Sequence, residues 1–348
     1  MSIEPSSRQV IDEQYRHYFT KPVPRSIVVF GASGRLGGPL AACLKRDAPG
    51  IRLRLATSRK ESAAHLQATH PDAEVVWADY GNLTSLEAAT AGMEGVFSVT
   101  PSATDEAIAM GNLVAALRKA QTAVHVIRQL GVQPDASQRR VPEVMKKMRL
   151  VLPIQHAIAR EVLDASGLPV TFLNTGASFM DNFARWMSRG LREERALIWP
   201  QRRVTFIDTL DVGEVVCRLF LSTDRRHIGQ LHTANNNHDF LNFTEIAEMM
   251  SEVWGERFVH RASKGDFWKE YHWMGEARLA YLWELFNYER DNEVIWSRND
   301  FVERLLGRKA TTMREWLIAN RDRVLGQARS ATGQPAMPIL GSATRPSN

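Results

Sequence analysis

From residue 26 onward the chain alternates between two hydrophobic patterns. Short apolar runs fit strands at 26–30 (SIVVF), 51–57 (IRLRLAT), 73–79 (AEVVWAD), 95–100 (GVFSVT), 122–130 (TAVHVIRQL) and 168–176 (LPVTFLNTG). Between them, apolar residues recur every third or fourth position. Leu36, Leu40 and Leu44 share one face of a helix over 36–47, and Met110, Leu113, Val114 and Leu117 share one over 105–120. Further helices are expected at 83–92 and 153–167. Strand and helix in alternation predict an α/β fold, a parallel sheet covered on both faces with right-handed crossovers.

Beyond Gly131 the rhythm loosens into a polar loop over 131–147. Asp211 and Glu214 have capping-box spacing before an apolar helix. Asn242 and Glu245 repeat the device before a helix that closes on Gly255. The stretch 265–325 reads as helical and rich in tryptophan. The expected organisation is a polar arm at 1–25, a nucleotide-binding domain at 26–176, a substrate lobe at 177–325 and a disordered tail at 326–348. Some strands and helices of the lobe should return to the first core.

Composition changes little in this picture but removes alternatives. The 348 residues are 44% hydrophobic and 24% charged, as in ordinary globular proteins. The two cysteines, Cys43 and Cys217, lie in apolar helical patterns with no CxxC, so neither a disulfide scaffold nor a metal site is expected. A net charge of +5 is spread along the chain rather than gathered in a stripe. It argues against direct nucleic-acid binding and suits a phosphorylated small molecule. No apolar run is long enough for a membrane span, and the first residues lack a signal-type core. A cytoplasmic location follows as an expectation.

The chemistry-bearing stretch is IVVFGASGRLGG. Gly31, Gly34 and Gly37 give G-x-x-G-x-x-G straight after a strand and straight into a helix. Such a turn lets backbone N–H groups and the positive helix end meet a pyrophosphate. An NAD-type site usually places an acid at the tip of the second strand. Here the tip reads ATSRK, with Ser58, Arg59 and Lys60, and Arg35 sits within the turn. Arginine suits a 2′-phosphate through paired, charge-assisted bonds, so NADP(H) is favoured over NAD(H).

The segments VVFGASGRLG, VVWADYGNLTSLEAATAGMEGVFSVTPS, VTFLNTGASFMDN, VTFIDTLDVGEVV and NFTEIAEMMSEVWG together resemble the NmrA-like, atypical branch of the short-chain dehydrogenase/reductases, from about Ser26 to Leu325. The resemblance implies a doubly wound parallel sheet of the Rossmann type with a smaller, mostly helical C-terminal substrate lobe. It implies that Gly31, Ser33, Gly34, Arg35, Leu36 and Gly37 line the pyrophosphate. Ser58 and Arg59 would meet the adenosine ribose and its phosphate, and Asp79 and Tyr80 would lie near adenine. Thr100 and Pro101 would lie near the nicotinamide ribose. Gln129, Asn174 and Gly176 would lie near the nicotinamide, while Phe179, Met180 and Asn182 would face substrate.

Typical short-chain reductases protonate substrate with the Tyr of Y-x-x-x-K. This chain has no Tyr between Tyr80 and Tyr271. The matching helix carries His156 and Arg160 at i, i+4, which places His156 as proton donor and Arg160 as a holder of ribose or substrate. Two readings stand. One is an NADPH-dependent reductase of a small, mostly apolar quinone, enone or imine. The other is a non-catalytic NAD(P)(H)-sensing regulator acting through a protein partner or a second copy.

Overall fold

All five residues of β1, Ser26–Phe30, are buried, and β1 lies inside a seven-stranded sheet. A strand covered on both faces needs apolar residues throughout, which is why this run shows no alternation. The computed structural model describes residues 19–131, 143–147, 152–291 and 297–326. Most of the expected arm, loop and tail lies outside them.

The strands are β1, β2 (Arg52–Thr57), β3 (Glu74–Trp77), β4 (Gly95–Ser98), β5 (His125–Leu130), β6 (Val170–Asn174), β7 (Ser178–Phe179), β8 (Ala196–Ile198), β9 (Arg203–Ile207), β10 (Leu231–Thr233), β11 (Phe240–Asn242) and β12 (Val259–Arg261). The helices are α1 (Gly37–Asp47), α2 (Lys60–Thr69), α3 (Leu83–Thr90), α4 (Glu106–Ala120), α5 (Glu143–Lys146), α6 (Leu152–Asp164), α7 (Asn182–Arg185), α8 (Ser188–Glu193), α9 (Thr209–Leu221), α10 (Phe243–Trp254), α11 (Lys264–Tyr271), α12 (Glu276–Asp291), α13 (Phe301–Leu306) and α14 (Met313–Leu325).

The large sheet runs β3-β2-β1-β4-β5-β6-β10, every pair parallel. Strand order reverses between β1 and β4, and ligands of such sheets bind at the carboxyl ends beside that switch. One face packs on α1, α9 and α13, the other on α3, α4 and α6. Helix α9 lies so close to α1 that a Cβ on Gly213 would stand 2.6 Å from Pro39 Cβ. Cys43 and Cys217 meet in that seam, both buried and within 4.8 Å of Asp47. The Asp47 carboxylate is engaged by Arg46 Nε at 2.6 Å.

A second hydrophobic core, distinct from those against the large sheet, joins Met180, Phe183 and Phe206 to Phe243, Trp254 and Trp316. Two small sheets, β11-β9-β7 and β12-β8, frame it. The capping box Asn242–Glu245 and the left-handed Gly255 cap delimit α10 as its sequence predicts. The Asp211–Glu214 spacing misleads. Asp208 caps α9 by accepting from Leu210 N–H at 3.1 Å. Asp211 instead lies within the first turn, buried, and accepts from Arg308 Nη2 at 2.7 Å and from Thr311 N–H at 2.8 Å. A distant arginine outbids the local backbone for that carboxylate.

Candidate functional site

The glycine turn starts where β1 ends. Gly31 adopts φ +66°. A Cβ on Gly37 would lie 2.5 Å from the Gly31 carbonyl oxygen, and one on Gly34 3.0 Å from the same atom. Only residues without a Cβ let α1 begin hard against the turn. Leu36, at the N-cap, gives no side-chain bond to the helix. The Gly38 N–H is taken by the Gly34 carbonyl at 3.0 Å and Pro39 has none, so the first turn of α1 offers a ligand the Gly37 N–H and the helix dipole.

A cavity of about 950 Å³ opens around this turn. The whole stretch Gly31, Ser33, Gly34, Arg35, Leu36 and Gly37 forms one wall. The strand tips add Ser58 and Arg59 after β2, Asp79 and Tyr80 after β3, and Thr100 and Pro101 after β4. Gln129, His156, Phe179 and Asn182 complete the middle. These residues come from separate segments, and the structure brings them to one space.

Four expected site residues lie elsewhere. Arg160 is exposed. It pairs with Asp164 at 3.3 Å and its guanidinium stands 5.8 Å from the Phe172 ring centre. Its long side chain follows the nearest carboxylate, so i, i+4 spacing from His156 does not bring it to the cavity. Asn174 and Gly176 face β10: Asn174 Nδ2 donates to Thr233 Oγ1 at 3.3 Å, and a Cβ on Gly176 would strike Thr233. Their neighbours Thr175 and Ala177 line the cavity instead, as a chain with alternating sides requires. Met180 is fully buried in the lobe core.

The cations are unevenly engaged. Arg35 Nη1 donates to Asp181 at 3.2 Å and to Asn182 Oδ1 at 2.7 Å, and its guanidinium lies 4.6 Å from the Phe179 ring centre. It clamps the glycine turn to the SFMDN segment. Arg59 Nη2 donates to Ser33 Oγ at 3.3 Å. Arg185, another cavity residue, reaches Asp181 at only 3.9 Å. Burial, then the Arg35 charge, lowers its pKa. Arg35 and Arg185 share the Asp181 carboxylate, and the charge of Arg59 is also felt at Arg185, so the three guanidiniums leave a positive surplus, which suits a phosphate.

His156 accepts the Gly131 N–H at Nδ1, 2.7 Å. Burial, and then the charge of Arg128, lowers its pKa to about 3. The ring is neutral near pH 7, and its remaining nitrogen, Nε2, carries the proton. A neutral ring so held can donate a hydrogen bond from Nε2. Gln129 is fixed by bonds from Nε2 to Leu130 O and Thr175 Oγ1, both 2.8 Å.

Beneath the strand tips lies a buried network that sequence reasoning missed. Arg128 Nη2 donates to Glu106 at 2.6 Å and to Thr100 Oγ1 at 2.8 Å. Ser98 Oγ lies 3.4 Å from Arg128 Nη1 and 2.9 Å from Tyr80 Oη. Gln155 Oε1 accepts from the Glu106 N–H at 2.9 Å. Tyr80 is thereby held, and burial raises its pKa to about 12. The available signal was an arginine inside the apolar run HVIRQL.

Comparison with known proteins gives the same architecture. The family model described as "NmrA-like family" matches residues 24–317. The Citrobacter sp. triphenylmethane reductase complexed with NADP(H) superposes with a TM-score of 0.68 at 21% identity, over 85% of this chain and 99% of that one. The NADPH-dependent quinone oxidoreductase of Escherichia coli complexed with NADPH gives 0.69 at 19%, over 84% and 98%. A nucleoside-diphosphate-sugar epimerase of Staphylococcus aureus gives 0.69 at 17%, over 84% and 99%. No helix among the described residues is long and apolar enough to cross a membrane.

Proposed function

The chain belongs to the NmrA-like family, and from that premise we propose that it works as an NADPH-dependent cytoplasmic reductase of a small, mostly apolar, unsaturated molecule. The observation that carries this reading is one cavity that joins the glycine turn to an aromatic lobe. Its 950 Å³ lies at the upper end of the roughly 300–1,000 Å³ typical of ligand pockets. The likeness to a triphenylmethane reductase and a quinone oxidoreductase supports it.

The residues fit a dinucleotide phosphate. The Gly31–Gly37 turn and the uncapped α1 terminus take the pyrophosphate. Arg59 takes the 2′-phosphate, with the surplus charge of Arg185 and Arg35 behind it. The reduced cofactor, when bound, supplies hydride. Phe179 and Asn182 orient the substrate. His156 would donate a hydrogen bond from Nε2–H to a substrate oxygen or nitrogen, keeping its proton and staying neutral. The proton that completes reduction comes from water. NADPH consumption in a panel of quinones, enones and imines tests this reading. Turnover of at least one class is expected, and none across all three would sink it.

One observation favours a dinucleotide-sensing regulator instead. Neither His156 nor Tyr80 is poised to release a proton near neutrality. A sensor that docks a protein partner or a second copy needs no such group. Equal affinity for NADPH and NADP+, with no turnover, would be its signature.

A further inference from the structure

The seam between α1 and α9 holds the chain's two cysteines, which the dinucleotide chemistry does not use. Cys43 and Cys217 are free thiols, 4% and 0% exposed. Their sulfurs lie within 4.8 Å of each other and of an Asp47 carboxylate oxygen. Cys43 belongs to α1, the helix that starts at Gly37, and Cys217 to α9. The close approach of Gly213 to Pro39 and to the Leu40 backbone holds the two helices, and so the two sulfurs, face to face.

The two thiols are not equivalent. Cys43 Sγ lies 3.4 Å from Arg46 Nη2 and 3.6 Å from Asp47 Oδ2. Contact with the Cys217 thiol lowers the Cys43 pKa, and the Arg46 charge assists against burial. The same contact, and then burial, push Cys217 up. Cys43 is therefore the better thiolate, and the thiolate is the nucleophile. Arg46 bonds both Cys43 and Asp47, so the cation that these groups hold is a guanidinium. The side chains of Arg46 and Asp47 are 64% and 21% exposed. A small oxidant reaches the Cys43 sulfur by displacing these flexible groups, without opening the core.

We propose that Cys43 and Cys217 form a redox modification site, which a peroxide converts reversibly to an intramolecular disulfide that fastens α1 to α9. The Cys43 thiolate attacks a peroxide oxygen. The S–O bond forms, the O–O bond breaks and hydroxide leaves, so Cys43 becomes a sulfenic acid. Cys217 then attacks the Cys43 sulfur. The S–S bond forms, the S–O bond breaks, and the departing hydroxide takes the Cys217 proton as water. Two electrons pass from the thiol pair to the peroxide. The bond ties the nucleotide-turn helix to its neighbour across the seam, and it needs neither cofactor nor substrate.

The test treats the folded, reduced full chain with hydrogen peroxide, then unfolds it and alkylates the remaining thiols. Masses are read in the peptides that carry Cys43 and Cys217, so oxidation of methionine elsewhere does not count. Because the chain has only these two cysteines, a disulfide within one chain can join no other pair. Both thiols should vanish together from the monomer, with two hydrogens lost and no oxygen gained, and dithiothreitol should restore both. Cys217→Ser removes the resolving thiol and should leave Cys43 as a sulfenic acid that dimedone traps. Cys43→Ser should leave Cys217 unoxidised at the same dose. Arg46→Gln should slow the loss of thiols severalfold. If a serine variant does not fold, the peptides of the unsubstituted chain decide alone. Two thiols intact in excess peroxide would overturn the proposal. So would oxygen gained irreversibly at either cysteine of the unsubstituted chain, or disulfides found only between chains.

Discussion

Gly37 shows how one hydrogen atom governs the site. A methyl group there would lie 2.5 Å from the backbone oxygen of Gly31, where no flexible side chain can yield. Gly37→Ala should cost about 1–3 kcal/mol in denaturant melts and sharply weaken dinucleotide binding. A variant with unchanged melting and affinity would show that α1 does not abut the turn. Arg59 tests cofactor choice. Arg59→Ala should raise the Kd for NADPH about tenfold or more and leave that for NADH nearly unchanged. Equal losses for both cofactors would place Arg59 away from the 2′-phosphate. His156 tests the revised chemistry. Its pKa of about 3 predicts that the pH profile of kcat has no histidine limb between about pH 5 and 8. A limb near pH 6.5 that disappears in His156→Gln would restore the imidazolium acid.

At the scale of elements, legibility in the sequence follows how local the cause is. The first six strands, the glycine turn and the Asn242 capping box rest on neighbours in sequence, and patterning finds them. The short strands β7, β8, β10, β11 and β12 have two or three residues each, too few to show a period. Helix α2 also escaped, because KESAAHLQAT buries only Leu66. Side-chain destinations were least readable. Asp211 turned to Arg308, and Arg128 found Glu106 across the fold, pairings that depend on which elements become neighbours. Arg160 took Asp164, one turn along its own helix, a partner the sequence spacing did offer. The Arg128–Glu106 pair is buried to 0% and 2% exposure, so Glu106→Gln should cost about 3 kcal/mol or more by stranding the guanidinium. Loss below about 1 kcal/mol in a urea melt would mean that the pair is hydrated.

For the molecule as a whole, two buried histidines set a pH dependence of folding. His125 and His156 both have pKa values lowered to about 3, chiefly by burial. Above pH 6.5 neither state binds these protons, so their effect is nil. Below it the unfolded chain takes them up first, and stability falls until about pH 3, where the folded state follows. At about pH 5 the two together should cost about 4 kcal/mol relative to neutral pH. Urea melts at both pH values would read this, and an unchanged midpoint would contradict it. The seven-stranded sheet, the glycine turn and the aromatic residues of the second core meet at one cavity, and what enters it decides the function. The most direct test is calorimetric titration of the full chain with NADPH, with NADH as control. One site per chain, with NADPH at least about tenfold tighter than NADH, is the predicted result. No binding of either dinucleotide would contradict the account at its root.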